Sequence, residues 1–538
     1  MKLTHLKHIC LVLLLFGMVF SCSKDEDVTN DPDVEENPTD DDDNEPTEPA
    51  FDGPTFADNY TNIGSWANRS RWNLANVHDP TVVKQGEYFY MYQTDASYGN
   101  AHDGHGHFHG RRSKDLVNWE YLGKTMDAAP TWVKDSMNAN RRRMELPEIA
   151  NPKYGYWAPC VREINGIYRM YYSIIVDELI TGTDGCASWG ERPYIGMMET
   201  TDLASNNWED KGMVITAIPD GVEDYYRASC NDWSSYNKFN AIDPSIVETP
   251  EGEQWLIYGS WHTGIAAVQL DPATGKPFQL NGIEDYGTRI AGRGNIGSNR
   301  WQGLEGAEII YNPDTGYYYL FLAYDELSVA YNTRVARATN LLGPYVGIDG
   351  QNVSEGAECW PMLTHPYKFN GHTGWVGISH CAIFQDADTN KWYFSSQGRL
   401  PEGVPGINVS NAVMMGQVRE LQWTEDGWPV VAPERYANVP ETNITVADIA
   451  GTWEQITMNY EYKVMQTSKT IIFNSNGTMG GEVSGNWEFN ANTNTIYVNG
   501  QECKLFDAWD WEASPRAVTL SYSGFTTEGK PIWAKKIN

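Results

Sequence analysis

Three carboxylates stand at matching places in a repeated sequence pattern. Asp79 and Asp243 each precede a proline, and Glu305 leads another copy of the same pattern. A single Asp-Pro pair commonly opens a turn or a strand and carries no functional meaning. Two such pairs at equivalent positions, with Glu305 at a third, indicate one shared cavity. Carboxylates around one cavity suit glycoside hydrolysis, in which one protonates the leaving oxygen and another activates water.

A third carboxylate in such a cavity has its own use. It raises the pKa of the acid by like-charge repulsion and helps to orient it. Glu308 is the alternative acid, because it follows Glu305 by three residues. In an extended strand these two side chains would face opposite sides, so only one of them would face the cavity.

The repeat itself predicts the fold. Five copies of the pattern occupy residues 79–90, 158–172, 243–258, 305–321 and 380–394. Each copy has a lead residue, a mostly apolar run, a Gly or Asp turn and an aromatic strand, which is typical of a β-hairpin. Five such units in series predict an all-β, five-bladed β-propeller, whose innermost strands surround a central channel. A β-sandwich would give no reason for polar lead residues at matching positions.

The pattern changes after about residue 440. Short strands follow, and Asn476-Gly477 and Asn499-Gly500 are typical hairpin turns. We expect a small antiparallel β-barrel or sandwich that braces the propeller, with sugar binding as the alternative role. The expected organisation is a signal peptide over 1–21, an acidic disordered tether over 22–55, the propeller over 56–440 and the accessory domain over 441–538.

The N-terminus is typical of an exported protein. Lys2 and Lys7 precede an apolar run at 10–20 that is too short to span a membrane. A small residue before Cys22 resembles a bacterial lipobox, which predicts acylation of Cys22. The acidic residues that follow resemble the surface-export signal of Bacteroidetes lipoproteins. We therefore expect an outer-membrane lipoprotein that faces the cell exterior, with an ordinary secreted protein as the alternative.

The net charge of the chain bears on which classes of partner it can bind. The formal net charge is −32 over 538 residues, which argues against a nucleic-acid partner. Much of this charge lies in the tether, and a neutral polysaccharide is compatible with the remainder. The simplest expected assembly is a tethered monomer.

The sequence resembles glycoside hydrolase family 43 over about residues 70–440. The resemblance is carried by Asp79, Asp243 and Glu305 with their flanking residues, and by further motifs at 113–120, 156–159, 259–265 and 331–346. The last of these is particularly like the endo-α-1,5-L-arabinanases. The resemblance implies cleavage within arabinan by inversion, with Asp79 as general base, Glu305 as general acid and Asp243 tuning the pKa of Glu305. An exo-acting α-L-arabinofuranosidase, a β-xylosidase and a non-catalytic glycan-binding lipoprotein are the alternatives.

The same resemblance extends to an ion and to one departure. His380 matches a family histidine near a central ion, usually calcium that is held largely through water; a hydrogen-bonded channel histidine is the alternative. Cys160 stands where the family commonly has Asp, which puts the fine substrate preference in doubt because a thiol cannot replace a carboxylate's hydrogen bonds.

Aromatic and histidine side chains complete the set of candidates. Trp157, Trp261 and Trp301 are candidate sugar-stacking platforms, with core packing as the alternative for each. A histidine cluster suggests either a transition-metal site or a loop at the rim of the cavity, and we favour the loop. The cluster consists of His102, His105, His107 and His109.

Overall fold

Five antiparallel sheets and one closed barrel account for nearly all regular structure in the chain. The structure is a computed structural model that describes residues 51–96, 101–143, 145–177, 191–217, 239–293, 302–369, 371–404 and 414–537. The predicted signal peptide, Cys22 and Trp301 lie outside these residues. Among the helices in the described ranges, none has the length and apolar character needed to cross a membrane.

Each copy of the repeat forms the two inner strands of one sheet, which we call a blade. Blade 1 contains β1 (Thr81–Gln85), β2 (Tyr88–Tyr92), β3 (Gly110–Ser113) and β4 (Glu120–Gly123). Blade 2 contains β5 (Tyr154–Ile164), β6 (Ile167–Val176), β7 (Tyr194–Thr200) and β8 (Glu209–Thr216). Blade 3 contains β9 (Ser245–Glu248), β10 (Gln254–Gly259), β11 (Ile265–Asp271), β12 (Lys276–Pro277) and β13 (Thr288–Ala291).

The remaining blades follow the same order. Blade 4 contains β14 (Leu304–Asn312), β15 (Tyr317–Tyr324) and β16 (Asn332–Ala338). The short β17 (Tyr367–Lys368) lies between the last two blades in sequence. Blade 5 contains β18 (Ala382–Gln385), β19 (Trp392–Gly398), β20 (Met415–Trp423) and β21 (Pro429–Val431). The inner strands β1, β5, β9, β14 and β18 contact one another in a closed ring, so the predicted five-bladed propeller is confirmed.

The lead residues of the blades share a strained backbone at the mouth of the channel. Asp79, Ala158, Asp243 and His380 all have left-handed backbone, with φ of 46°, 40°, 54° and 51°. In blade 4 the left-handed residue is Gly306, with φ of 56°. Glu305 therefore lies one position earlier than the repeat predicted. Glu305 precedes a β-bulge between Glu305 and Glu308, and blade 2 has the same bulge between Trp157 and Cys160.

The accessory part of the chain is a closed eight-stranded antiparallel barrel, which is one of the two forms that the sequence predicted. Its strands are β22 (Gly451–Thr457), β24 (Lys469–Phe473), β25 (Thr478–Gly481), β26 (Gly485–Asn490), β27 (Thr495–Val498), β28 (Gln501–Trp509), β29 (Val518–Phe525) and β30 (Pro531–Lys536). Outside the barrel, β23 (Gln466–Thr467) pairs with β17 of the propeller part. Buried Phe506 and Trp533 of the barrel share one apolar cluster with Trp375 and Phe394, so the barrel packs directly on the propeller.

Helices are few in the described residues. The α-helices are α1 (Thr131–Arg143), which follows blade 1, and α2 (Val446–Ile449), which opens the barrel segment. Short 3-10 turns lie at Thr61–Ile63, Trp66–Arg71, Trp261–Thr263, Ile283–Tyr286 and Val353–Glu355. Thr445 caps α2, because its side chain accepts a hydrogen bond from the backbone N–H of Asp448.

Candidate active site

Asp79 lies at the mouth of the channel within a dense hydrogen-bond network. One carboxylate oxygen pairs with Nδ1 of His380 at 3.0 Å, and the other pairs with Nδ1 of His78 at 3.0 Å. The hydroxyl of Thr94 donates to the second oxygen at 2.7 Å, and the backbone N–H of Asp79 donates to Gln397 at 2.8 Å. A carboxylate has about four lone-pair sites, so these contacts fix Asp79 and still leave it able to accept a proton.

Asp243 occupies the equivalent position in blade 3 and reaches toward blade 4. Its Oδ2 accepts a hydrogen bond from the backbone N–H of Gly306 at 3.1 Å. Its own N–H donates to the hydroxyl of Ser173 at 3.1 Å. Asp79 and Asp243 are 8% and 6% exposed, so solvent screens neither charge strongly. Asp243 therefore both holds the peptide that follows Glu305 and places a carboxylate beside it.

Glu305 is held by two hydroxyl groups. Tyr331 donates to Oε1 at 2.6 Å, and Ser260 donates to Oε2 at 3.3 Å. Tyr331 is buried, and burial together with the charge of Glu305 raises its pKa well above the usual value, so the phenol keeps its proton. Because a donor faces each oxygen, the orientation of the Glu305 carboxyl group is fixed.

The three carboxylates differ sharply in proton affinity. Burial acts against ionisation of Asp79, but the neighbouring His380 and His78 hold its pKa well below the usual value. Burial and the charge of Asp79 raise the pKa of Asp243 to about 6. Burial and the charge of Asp243 raise the pKa of Glu305 to about 7. Near neutral pH the site thus holds an ionised Asp79 and a Glu305 that still carries its proton for much of the time.

His380 supplies the positive charge that separates these values. Burial acts to lower its pKa, yet the charge of Asp79 and the hydrogen bond to it raise the pKa to about 10. The imidazolium is therefore the counter-ion of Asp79. Its ring also lies close to blade 4, where a Cβ added to Gly306 would come within 2.9 Å of it. Only glycine fits at position 306 without displacing His380.

Glu308 is engaged elsewhere. Its Oε1 forms an ion pair with Arg162, and its Oε2 accepts a hydrogen bond from Ser245 at 2.6 Å. It lines a cavity of about 20 Å³ in the channel, together with Cys160. Burial raises the pKa of Cys160 to about 11, so its thiol stays neutral. Glu308 is thus ion-paired with a guanidinium, whereas both partners of Glu305 are neutral hydroxyls, and this difference favours Glu305 as the acid.

The predicted calcium ion would lie beside His380. Calcium takes six to eight oxygen ligands. His380 already gives Nδ1 to Asp79, and in the described part of the chain no three His, Cys, Asp or Glu side chains are grouped to hold a metal. These side chains alone do not form a calcium site, and an ion beside His380 would take most of its ligands from water. Calcium stays a prediction.

Two of the three predicted tryptophan platforms, Trp157 and Trp261, lie in the described residues. Trp157 and Trp261 are both partly exposed. Trp261 packs on the strand that leads to Glu305, since a Cβ added to Gly303 would lie 2.7 Å from its ring. The position of Trp157 in the β-bulge of blade 2 corresponds to that of Glu305 in blade 4. Trp301 lies outside the described residues.

The histidine cluster is a packed aromatic group. His105 stacks on Trp66 at 3.8 Å between ring centroids, and His102 stacks on His109 at 4.1 Å. His107 pairs with Asp95 at 2.5 Å. Asp95 follows Thr94, which binds Asp79, so the loop lies next to the carboxylate network. This arrangement agrees with the rim loop that we favoured.

Several residues that hold the site escaped the sequence analysis. The hydroxyls of Thr94, Ser260 and Tyr331 contact the carboxylates directly. Ser260 and Tyr331 stood inside motifs that signalled the family resemblance, but nothing in their spacing assigned them to Glu305. Thr94 carried no signal, because its contact with Asp79 joins the end of one strand to the start of another.

Two family models match the propeller and the barrel segments of the chain. The model of glycosyl hydrolases family 43 matches residues 74–429, and the model of a C-terminal lipocalin-like domain matches residues 433–534. The extracellular endo-α-(1→5)-L-arabinanase of Thermotoga petrophila is 28% identical over 492 residues, which cover 87% of this chain and 94% of that protein. The extracellular endo-α-(1→5)-L-arabinanase 2 of Bacillus subtilis is 25% identical over 497 residues, which cover 88% of this chain and 95% of that protein.

A solved structure extends the similarity to three dimensions. The crystal structure of endo-1,5-α-L-arabinanase from Thermotoga petrophila matches with a TM-score of 0.65 at 25% identity. The match covers 86% of this chain and 99% of that chain. Propeller and barrel are therefore both shared with that protein.

Proposed function

Because the chain belongs to glycosyl hydrolases family 43, we propose that it cleaves α-1,5-L-arabinofuranosidic linkages within arabinan by inversion. Asp79 is the general base, Glu305 the general acid and Asp243 the modulator of its pKa. The observation that carries this assignment is the separation of proton affinities: the pKa of Asp79 is held low, while that of Glu305 is raised to about 7. Pairs of carboxyl groups pushed apart in this way are typical of acid–base catalysis in glycosidases.

The proposed reaction follows from these protonation states. Asp79 accepts a proton from water as the water oxygen attacks the anomeric carbon. The glycosidic C–O bond breaks on the opposite face, and its oxygen takes the proton from Glu305. The two carboxyl groups exchange protons with solvent before the next turnover. Tyr331 and Ser260 hold Glu305, and His380 stabilises the ionised Asp79 before the attack.

The choice of arabinan rests on the two relatives, whose own length is matched almost completely. Both are named as endo-acting arabinanases, and we extend that activity to this chain. Trp157 and Trp261 are partly exposed, which suits furanose rings that stack beside the carboxylates. Trp301 remains a third candidate platform.

The deciding experiment is a time course on linear α-1,5-arabinan. Wild-type protein is compared with Glu305→Gln and, as a matched control, Glu308→Gln. We expect a spread of oligosaccharides from wild type, near-complete loss with the first variant and retained cleavage with the second. Arabinose alone from the earliest time would replace endo by exo action. The reverse ranking of the two variants would transfer the acid role to Glu308.

Inversion has a separate test. Proton NMR of the first seconds of hydrolysis distinguishes the anomer that is released before mutarotation. We expect the β-anomer from an α-linkage. Initial release of the α-anomer would contradict the proposed base role of Asp79, because retention requires a nucleophilic carboxylate. If the protein releases no products from arabinan, xylan and arabinoxylan are the next substrates to test.

We also propose export and a lipid anchor at Cys22. The relatives are named as extracellular proteins, which supports export. Acylation is tested by detergent phase partition of wild type and Cys22→Ala expressed with the full leader. Wild type is expected in the detergent phase and the variant in the aqueous phase. Equal partition of both would leave a plainly secreted protein.

A further inference from the structure

A segment of the barrel lies against the blade that carries Glu305. We call residues 459–463, which follow β22, the barrel arm. The Tyr460 hydroxyl accepts a hydrogen bond from the side chain of Gln302 at 2.9 Å and donates one to Oδ1 of Asp325 at 3.2 Å. Gln302 precedes β14, and Asp325 follows β15. One hydroxyl from the barrel therefore joins the residue before β14 to the residue after β15, at the open end of the hairpin that contains Glu305.

Asp325 is the buried centre of this contact. Its Oδ1 pairs with Arg293 at 2.6 Å, and its Oδ2 accepts from Asn332 at 2.8 Å. Its backbone N–H donates to the carbonyl of Gly303 at 3.0 Å. Gly303 lies two residues before Glu305, and Asn332 directly follows Tyr331. The Asp325 network thus joins the backbone on both sides of the Glu305–Tyr331 hydrogen bond.

A second contact of the arm reaches the loop that carries Tyr331. Lys463 pairs with Glu326 at 3.1 Å. Glu326 in turn accepts a hydrogen bond from the backbone N–H of Ser328 at 2.8 Å, within the loop between β15 and β16. The guanidinium of Arg334 lies over the Tyr460 ring, 4.5 Å from its centroid, and this cation–π contact also holds the ring in place.

We propose that Tyr460 is a positioning residue of the active site, through which the barrel fixes the strand of Glu305 and the loop of Tyr331. The inference rests on the proposed function, in which Glu305 is the acid. A proton donor must meet the leaving oxygen within a fraction of an ångström, and small displacements of supporting residues are costly. The barrel then supports the chemistry directly and does more than stabilise the fold.

The chain offers a matched control for this proposal. Tyr497 is another partly exposed tyrosine of the barrel, and its hydroxyl donates to a propeller carboxylate, Glu425, at 2.9 Å in a solvent-exposed contact. Glu425 lies in the turn between β20 and β21 of blade 5. Tyr460→Phe and Tyr497→Phe therefore each remove one hydroxyl contact between barrel and propeller. Only the first touches the supports of Glu305.

The experiment measures kcat, KM and their pH dependence on linear arabinan for wild type and both variants. With Tyr460→Phe we expect kcat to fall by about tenfold with little change in KM. We also expect the alkaline limb of the kcat profile to move to lower pH, because a less ordered acid is better solvated. Tyr497→Phe should match wild type. Equal behaviour of the two variants would overturn the proposal.

Amide hydrogen exchange tests the same proposal without turnover. Tyr460→Phe should speed exchange in peptides that cover residues 302–305 and 325–331, whereas Tyr497→Phe should leave them unchanged. This measurement stays decisive if wild type fails to cleave arabinan, in which case the proposed function fails by itself. Unchanged exchange in both variants would refute the positioning role even in an active enzyme.

Discussion

The hydrogen bond from Tyr331 to Glu305 offers a sharp test of the proposed acid, because its loss should lower kcat and raise the pKa of Glu305. Tyr331→Phe removes only the hydroxyl, whose oxygen lies 2.6 Å from Oε1. Tyr331 is 1% exposed, so water does not readily replace the lost donor. The substitution therefore leaves the carboxyl group of Glu305 with one donor, Ser260, in place of two.

The size of the pH effect follows from the strength of that bond in each protonation state. A hydrogen bond to an ionised group contributes about 1 kcal/mol more than one between neutral groups. One pKa unit corresponds to about 1.4 kcal/mol, so loss of the donor should raise the pKa of Glu305 by about 0.7 units. Wild-type activity should decline above pH 7, because the pKa of Glu305 is about 7. The decline in the variant should begin at correspondingly higher pH.

The maximal rate, in contrast, should fall. Without the Tyr331 donor the carboxyl group is less well oriented, so we expect kcat at its optimum to fall by about tenfold. The assay is release of reducing ends from linear arabinan between pH 4 and pH 9. Tyr345→Phe is the matched control, since its buried hydroxyl donates to the carbonyl of Leu341 at 2.8 Å and does not contact Glu305. The control should lose stability but keep the wild-type pH profile.

The direction of the shift decides the outcome. An alkaline limb that moves to lower pH, or stays in place while kcat falls, would refute the view that Tyr331 donates to the catalytic acid. A matching upward shift in Tyr345→Phe would show that the effect comes from general loosening of blade 4.

The other predictions concern neighbours of the same acid. Asp243→Asn removes the like charge beside Glu305, so the alkaline limb should move down by about one unit or more, which the same pH series measures. Gly306→Ala should lower both Tm and activity, because the new Cβ would lie 2.9 Å from His380; Gly86→Ala, at a similar φ of 59° with open space around it, should lower Tm alone. The raised pKa means that folded Glu305 binds its proton more tightly than the unfolded chain does, so its stabilising effect is lost as pH rises from about 4.5 to 7. The Tm of Glu305→Gln relative to that of wild type should therefore be about 3 °C higher at pH 8 than at pH 4.

The sequence predicted the fold because the determinants of the blades are local. Each hairpin has its own turn and its own alternation of aromatic residues, so five copies could be counted and joined into a ring. The position of the left-handed residue in blade 4 could not be predicted from the local repeat. The left-handed position falls on Gly306, where a Cβ would meet the ring of His380 from another blade, and no local feature of the repeat predicted that contact.

The site was predictable to the same limit. Asp79, Asp243 and His380 could be identified because they lead their copies of the repeat. Their hydroxyl partners could not, since contacts such as that of Tyr331 with Glu305 depend on how loops fold over the channel mouth. The direct contact of the barrel arm with blade 4 was equally hidden, because Tyr460 and Asp325 are 135 residues apart.

Charge placement explains why the three carboxyl groups at the channel mouth differ in proton affinity. Both imidazoles that touch the group, His380 and His78, pair with Asp79. Among the described residues, Asp243 accepts a hydrogen bond from the backbone N–H of Gly306, and Glu305 accepts from two neutral hydroxyls. Burial then raises the proton affinity of the two carboxyl groups that lack a paired cation, while Asp79 stays ionised. Asp79 and His380, which both have left-handed backbone at the channel mouth, lie within 3.0 Å of each other, and this ion pair helps to keep the pKa of Asp79 below those of Asp243 and Glu305.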